Sequence, residues 1–322
     1  MDLSLWSKSR HFVWHLNQGL ATLYVGAVAS LAGYTGIALL LFPELGALTY
    51  DVLTRPQGSW ARSPRMLIIT PTLNALLGIL LTSFIHYSLF SVLLMIGIGL
   101  VVIHALKSPI VPAISAGLLP LTLGIRSWLY PAAILVTLLV LVLLAQGQKR
   151  MEPEPVEVRT NPEDGDDLLE SLPTDFSWAG YFGAFILIAA TLAVVTGWRF
   201  ILYPPLVVIA YEMFAHAKHC PWVNRPVMLP LACTSHAAAG VMLVMMMGVG
   251  PLAAMASMVV GMLILRVVRL NIPPVLAVGL LPFAVNHPDI RLPVAVGIGT
   301  TLLTLIFLLW QSSPVTLQRL RA

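Results

Sequence analysis

The sequence predicts an all-α polytopic membrane protein: two tandem repeats of about four transmembrane helices each, interrupted by proline- and glycine-broken half-helices. Three observations predict it. The 322 residues are 58% hydrophobic and only 10% charged, with a mean hydropathy of +0.89, whereas a water-soluble domain carries roughly 25% charged residues. Apolar runs near the roughly 20 residues that cross a bilayer recur along the whole chain. Residues 41–131 also recur at 202–293, with Pro43 on Pro204, Tyr50 on Tyr211, Asp51 on Glu212, Lys107 on Arg269 and Pro112 on Pro274. Gly117-Leu118-Leu119-Pro120 falls on Gly279-Leu280-Leu281-Pro282. Helix breakers repeated at matched places in apolar sequence are what transport folds show around a midplane site.

Residues 1–19 read as an interfacial segment, because Lys8, Arg10, His11 and His15 precede an apolar run too long for a signal-peptide core. Residues 20–148 form the first repeat, with spans at Leu20–Phe42, Met66–His86, Phe90–Leu106 and Leu129–Gln146. Residues 149–177 are a linker. Nine of the fourteen acidic residues fall between Glu152 and Asp175, with Glu-Pro-Glu-Pro at 152–155, and such a segment lacks the apolar surface that offsets ordering entropy. Residues 178–312 form the second repeat, with spans at Phe182–Trp198, Met228–Met247, Leu252–Val268 and Leu292–Gln311, and 313–322 are a tail. Four spans per repeat, the favoured reading, make the repeats parallel and put the termini and linker on one side; if the half-helices near Pro112 and Pro274 also cross, each repeat has five spans and the halves are inverted. With four spans most loop cations lie opposite, which makes the linker external by the positive-inside rule.

Each repeat also carries two broken pieces. Phe42 to Ala47 is matched by Tyr203-Pro204-Pro205-Leu206, and Ser108 to Gly117 by Asn271 to Gly279. They are too short to cross as helices, and proline, which lacks the N–H for the helix ladder, favours a helix start. Unpaired backbone at membrane depth is tolerated only inside protein or beside water, so these pieces predict inward-pointing half-helices with electropositive N-termini.

Phe42-Pro43-Glu44-Leu45-Gly46-Ala47, Ser63-Pro64-Arg65 leading through Ala75 to Gly78, and Pro112 to Pro120 form an ordered series. It resembles the HPP family of integral membrane proteins, once per repeat and over most of the chain. The first stretch is similar to the family's Phe-Pro-Pro-Leu-Gly-Ala element, and the second to its Gln-Pro-Arg segment. The resemblance implies a membrane transporter, with plastid members of the family linked to nitrite. The family histidine is replaced by Ile110 and Ile272, and only the second half keeps a double proline, Pro273-Pro274. Chemistry that depends on that histidine therefore does not carry over.

Outside the linker and the N-terminus the acids are Glu44, Asp51, Glu212 and Asp289. Asp51 and Glu212 are equivalent and each follows a tyrosine, Tyr50 or Tyr211. An ionisable group near the bilayer interior is costly, so the pair reads as coupling or gating acids, against an interfacial alternative with Arg55 or Lys218 as neighbours. Lys107 and Arg269, matched across the repeats, read as charges that attract an anion. Pro112, Pro274, Gly117 and Gly279 would shape the pathway. Glu212, His216, His219 and Cys220 are spaced for a helical metal face, and Met242, Met245, Met246, Met247, Met255, Met258 and Met262 offer soft thioethers. Interfacial histidines are the favoured reading of the first set, since Pro221 follows at once and the first repeat offers Asp51 and Arg55 instead, and a packing role is favoured for the methionines. Small residues at Gly26, Ser30, Gly33, Gly36, Gly97 and Gly99 read as close helix contacts.

No phosphate loop, His-Glu-x-x-His or nucleophile elbow is present, so neither an enzyme nor a resident cofactor is expected. The two cysteines make no disulfide framework, and the dispersed cations suit no nucleic acid. The expectation is a multi-pass protein of a bacterial cell membrane, acting as a transporter or channel for a small solute, with an inorganic anion such as nitrite favoured. Its partners would be the bilayer, the solute and, where it self-associates, further copies. The alternatives are a membrane scaffold whose acidic linker recruits a partner, and a copper or zinc permease using His216, His219, Cys220 and the methionines.

Overall fold

The computed structural model describes residues 3–151, 173, 176–285 and 287–312, with side chains from residue 13 onward except that of 151. The 149–177 linker and the 313–322 tail fall largely outside the described residues. Among them every element is helical: α1 (Leu3–Thr35), α2 (Glu44–Thr54), α3 (Ser59–Arg62), α4 (Pro64–Phe84), α5 (Leu89–Leu106), α6 (Ala113–Leu123), α7 (Leu129–Met151), α8 (Ala179–Thr196), α9 (Pro204–Ala215), α10 (Met228–Met247), α11 (Pro251–Val268), α12 (Pro274–Leu280) and α13 (Arg291–Gln311). Seven of them, α4, α5, α7, α8, α10, α11 and α13, are long and apolar enough to cross a membrane. This is the make-up of a multi-pass α-helical membrane protein.

The chemistry of the helix ends explains most boundaries. Proline opens α4, α9, α11 and α12 within their first two positions, where its missing N–H has no helical partner to lose. Ser88 caps α5 in a reciprocal box with Ser91. α1 departs from the expected span Leu20–Phe42. It runs unbroken from Leu3, stops at Gly36 with φ +71, and is not among the seven. Gln18, Thr22, Tyr24, Ser30 and Tyr34 dilute its apolar character.

α2 and α6 have 11 residues each, α9 has 12 and α12 has 7 before a 3-10 turn at Leu281–Ala284. Eleven residues rise about 16 Å, half of a roughly 30 Å hydrocarbon core. Irregular stretches enter each of them: 41–43 into α2, 107–112 into α6, 203 into α9 and 269–273 into α12.

Long-range hydrogen bonds sort the loops between the two ends of the molecule. Trp60 Nε1 donates to Pro109 O at 3.1 Å, and Lys149 Nζ donates to Ala61 O at 2.9 Å. The loop after α2, the entry to α6 and the end of α7 thus share the linker end. At the other end Arg199 Nη1 donates to Thr122 O at 3.1 Å and lies over the Tyr87 ring at 4.7 Å.

α2 therefore carries the chain from the far end back to the linker end, and α6 carries it away again. Both halves still begin and end on the same side, but the expected charge map reverses. Arg55, Arg62, Arg65, Lys107, Lys218, Arg225, Arg266 and Arg269 lie at the linker end, and only Arg126, Arg199 and Arg291 lie opposite. The reversal arises because the half-helices count as traverses, which a reading by full-length spans omits.

The short helices lie between the halves. α2 packs on α12 and α9 on α6, while α1 packs on α11 and α5 on α8. Within each half, α4 packs on α6 and α7, and α10 on α12 and α13. The α4–α6 and α10–α12 contacts are backbone-close: a Cβ on Gly78 would run into Gly117 O, and one on Gly240 into Gly279 O. Of the other small residues, Gly26 meets Met255 and Gly99 meets Asn74 and Ile114, but Gly33 and Gly97 face open space.

Candidate functional site

The four short helices place their N-termini inside the protein and send their C-termini to opposite ends. The first turn of α2 meets the first turn of α12, since the built Cβ of Gly46 lies 3.4 Å from Leu276 O. Glu44, the first residue of α2, is 2% exposed, and its carboxyl group lies beside the Ser115 hydroxyl of α6. Neither Glu44 oxygen, nor Ser115 Oγ, has a hydrogen-bond partner. Uncompensated N–H dipoles make such ends electropositive, so a carboxyl group at this junction is placed where negative charge is least unfavourable.

A cavity of about 580 Å³ lies at the end opposite the linker. Leu119, Leu123, Phe283 and His287 line it, and Phe42 and Tyr130 are also in its wall. Phe42 is two residues before Glu44, and Tyr130 donates its hydroxyl to Ala116 O at 3.0 Å, next to Ser115. A smaller adjoining cavity, about 230 Å³, shares Val285 and His287 and is lined by Arg199, Asp289 and Arg291.

The sequence candidates lie elsewhere. Asp51 is buried in the last turn of α2, two turns or about 10 Å from Glu44, and pairs with Arg55 at 2.8 Å. Tyr50 beside it faces Gln18 and Arg266. Glu212 is buried at the equivalent place on α9, near Cys220. Tyr211 is enclosed by the Trp178, Phe182 and His216 rings, with centroids 5.2, 6.2 and 5.9 Å away. Pro112 and Pro274 stand where α6 and α12 begin, as the half-helix reading expects.

Gly117 and Gly279 leave room for neighbours: an added Cβ would strike Met95 in one case and the His236 ring in the other. Lys107 and Arg269 are exposed, and they are the two non-glycine residues with positive φ, 49 and 55, among those described. Each ends its helix in the left-handed conformation.

No group of three or more His, Cys, Asp or Glu among the described residues is arranged to hold a metal ion. His216 is buried beyond the end of α9, whereas His219 is exposed. Burial, and secondarily His219, holds the His216 imidazole down at about 4. Burial, and then the Glu212 charge, pushes the Cys220 thiol well up. Both cysteines are free and buried. Met242, Met245, Met246 and Met247 face outward while Met258 and Met262 are buried, so the thioethers form no common cluster.

Two central residues escaped selection at the sequence level. Glu44 stands where the second half has Pro205, and its signal was an acid inside a broken apolar element. His236 sits in the middle of α10, at the position that matches Asn74 of α4 in the repeat. Its Nδ1 is 2.7 Å from Val275 O and its Nε2 2.9 Å from Ser257 O. A neutral ring can donate to one of these carbonyls and an imidazolium to both. The ring thereby ties α10, α11 and α12 together.

No family model matches the chain, and no curated protein or solved structure matches it either.

Proposed function

We propose that this chain is a membrane transporter or channel for a small solute, with an inorganic anion such as nitrite as the favoured class. Its pathway would run between two copies of one HPP-like unit fused as a pseudo-dimer. The observation that carries this reading is the burial of four short-helix N-termini at the contact between the halves. Aligned peptide dipoles give each such end a partial positive charge without any side chain. Buried ends of this kind, two of which meet where α2 packs on α12, would favour an anion over a cation.

The exchanged packing supports the duplication. α1 on α11 is matched by α8 on α5, and α2 on α12 by α9 on α6, as a two-fold relation between equivalent halves requires. The cavity near Phe42 and Tyr130 would be the outer vestibule, with Arg199 and Arg291 close by. Lys107 and Arg269 would add cationic field at the linker end, and Asp51 and Glu212 would control that mouth. The concentration of arginine and lysine there makes the linker end cytoplasmic by the positive-inside rule.

The test is flux in proteoliposomes of the full chain, comparing nitrite, nitrate, formate and chloride with and without a pH gradient. Saturable or selective uptake of one anion is the expected result. Folded, reconstituted protein that passes none of the four would overturn the reading.

A further inference from the structure

The buried helix junction contains one feature that an anion pathway alone does not explain: an acid at its centre. Glu44 is buried at the start of α2, whose first turn meets that of α12, and neither of its oxygens makes a well-formed hydrogen bond, the Ser115 hydroxyl and its own N–H being the donors beside it. Its neighbour Ser115, fully buried, is likewise without a partner. The large majority of buried polar side-chain atoms are satisfied, so each exception calls for a cause.

Among the described residues no counter-ion lies beside Glu44: Lys149 of α7, which also packs on α2, is engaged with Ala61 O at the linker end. α6 and α12 carry no titratable residue. On α7 the Tyr130 phenol lies within the field of Glu44, and its proton is engaged with Ala116 O. On α1, Tyr24 donates to Thr137 O and His15 contacts Arg266. The Arg55 cation of the α2 C-terminus is paired with Asp51, and α3 contributes Arg62 at the linker end.

We propose that Glu44 is the proton site of the pathway: it holds a proton when the junction is closed and gives it up to water when the junction opens to one side. The inference rests on the transport reading above and deepens it. Enclosure without a counter-ion makes a carboxylate more costly than a neutral carboxylic acid, a cost that the helix ends and the Ser115 hydroxyl offset only in part. One carboxyl and one hydroxyl group are too few oxygens to replace the water shell of a metal cation, which leaves the proton as the occupant.

Coupling to an anion follows from charge. An ionised Glu44 would repel an anion at the same helix ends, and a neutral one would leave their positive field available. Proton and anion therefore favour each other's binding by the same factor. No covalent bond changes: the proton comes from water and returns to water.

The counterpart position supports the assignment. Glu44 occupies the place of Pro205 in the second half, and both residues are favourable at a helix start. A helix start alone therefore does not require a carboxyl group there.

The test uses the full chain in liposomes with two variants, Glu44→Gln, which keeps the shape, and Glu44→Pro, which copies Pro205. Equal melting temperatures establish that both fold. Infrared spectra recorded from acid to alkaline pH should show a carboxylic-acid C=O band in the wild type that bleaches as pH rises and is absent from both variants. In the flux assay, both variants should lose gradient-driven accumulation.

A carboxylic-acid spectrum identical in wild type and variants at every pH overturns the proposal, as does undiminished proton-driven uptake in Glu44→Gln. The infrared result stands independently of flux. A Glu44 band without any anion flux would remove the anion reading and keep the proton site, and flux without the band would do the reverse.

Discussion

At the residue scale, matched positions in the two halves have different causes. Lys107 and Arg269 coincide because each stops a helix with φ near +50, a conformation that costs an ordinary L-residue roughly 1–2 kcal/mol and glycine almost nothing. Replacing either by glycine should leave the melting temperature unchanged, or raise stability by up to about 1 kcal/mol after the larger chain entropy of glycine is offset. Lys107→Val should lose about 1–2 kcal/mol, since a branched side chain fits that region worst. If their charge attracts the solute, the glycine variants will also show slower anion uptake at low salt, and the gap to wild type will close at high salt.

His216 yields a prediction of a different kind. Its value of about 4 in the folded protein lies below the ordinary 6.5, so the unfolded chain takes up the proton first on acidification. Its contribution is full above about pH 6.5 and is lost as pH falls toward about 4. Thermal unfolding of the wild type should steepen in its pH dependence across that window, and His216→Gln should flatten it.

At the scale of elements, the short helices are fixed by glycine as much as by proline. Gly78 and Gly240 are spaces that the backbone carbonyls of Gly117 and Gly279 occupy, so a methyl group there has no flexible side chain to displace. Gly78→Ala and Gly240→Ala should each cost about 1–3 kcal/mol or block folding, measured by thermal unfolding in detergent. Gly97→Ala is the control: nothing lies within 4 Å of its added Cβ, and a helical Gly→Ala change should gain about 0.5–1 kcal/mol. An equal loss at all three sites would show that backbone contact is not what the glycines serve. The repeat puts Gly78 on Gly240, whereas Gly33 and Gly97, read as close helix contacts because they are small, face open space.

At the scale of the whole molecule, the contacts between halves tie α1 to α11, α2 to α12, α5 to α8 and α6 to α9. α2, α9 and α12 thus find much of their packing in the other half, whereas α6 packs mainly on α4 and α5 of its own, and neither half buries all of its broken elements alone. Two chains cut within the 152–175 segment and expressed together should co-purify, whereas either alone should be degraded or aggregate. A first half that is stable and monomeric by itself would contradict this interdependence. Cutting there also bears on the scaffold alternative, because a partner-recruiting linker would lose its function while transport would survive.

Composition alone determined that this chain belongs in a membrane as helices, since apolar length and low charge density are local properties that no tertiary contact can reverse. Proline placement likewise located the starts of the broken elements to within a few residues, because proline restricts backbone geometry wherever it stands, but α2, α6 and α9 run on well past the ends that the breakers suggested. The tertiary structure decided which acid occupies the centre. Asp51 and Glu212 stood out by symmetry, but Asp51 is paired with Arg55 and both lie in the last turns of their helices, while Glu44, unmatched in the second half, lies where helix ends from both halves meet. That meeting joins residues tens to hundreds of positions apart, and no spacing along the chain encodes it. The end of the molecule at which the cations fall was decided in the same way, because it depends on whether the two short helices of each half traverse, and only their burial inside the protein lets them do so.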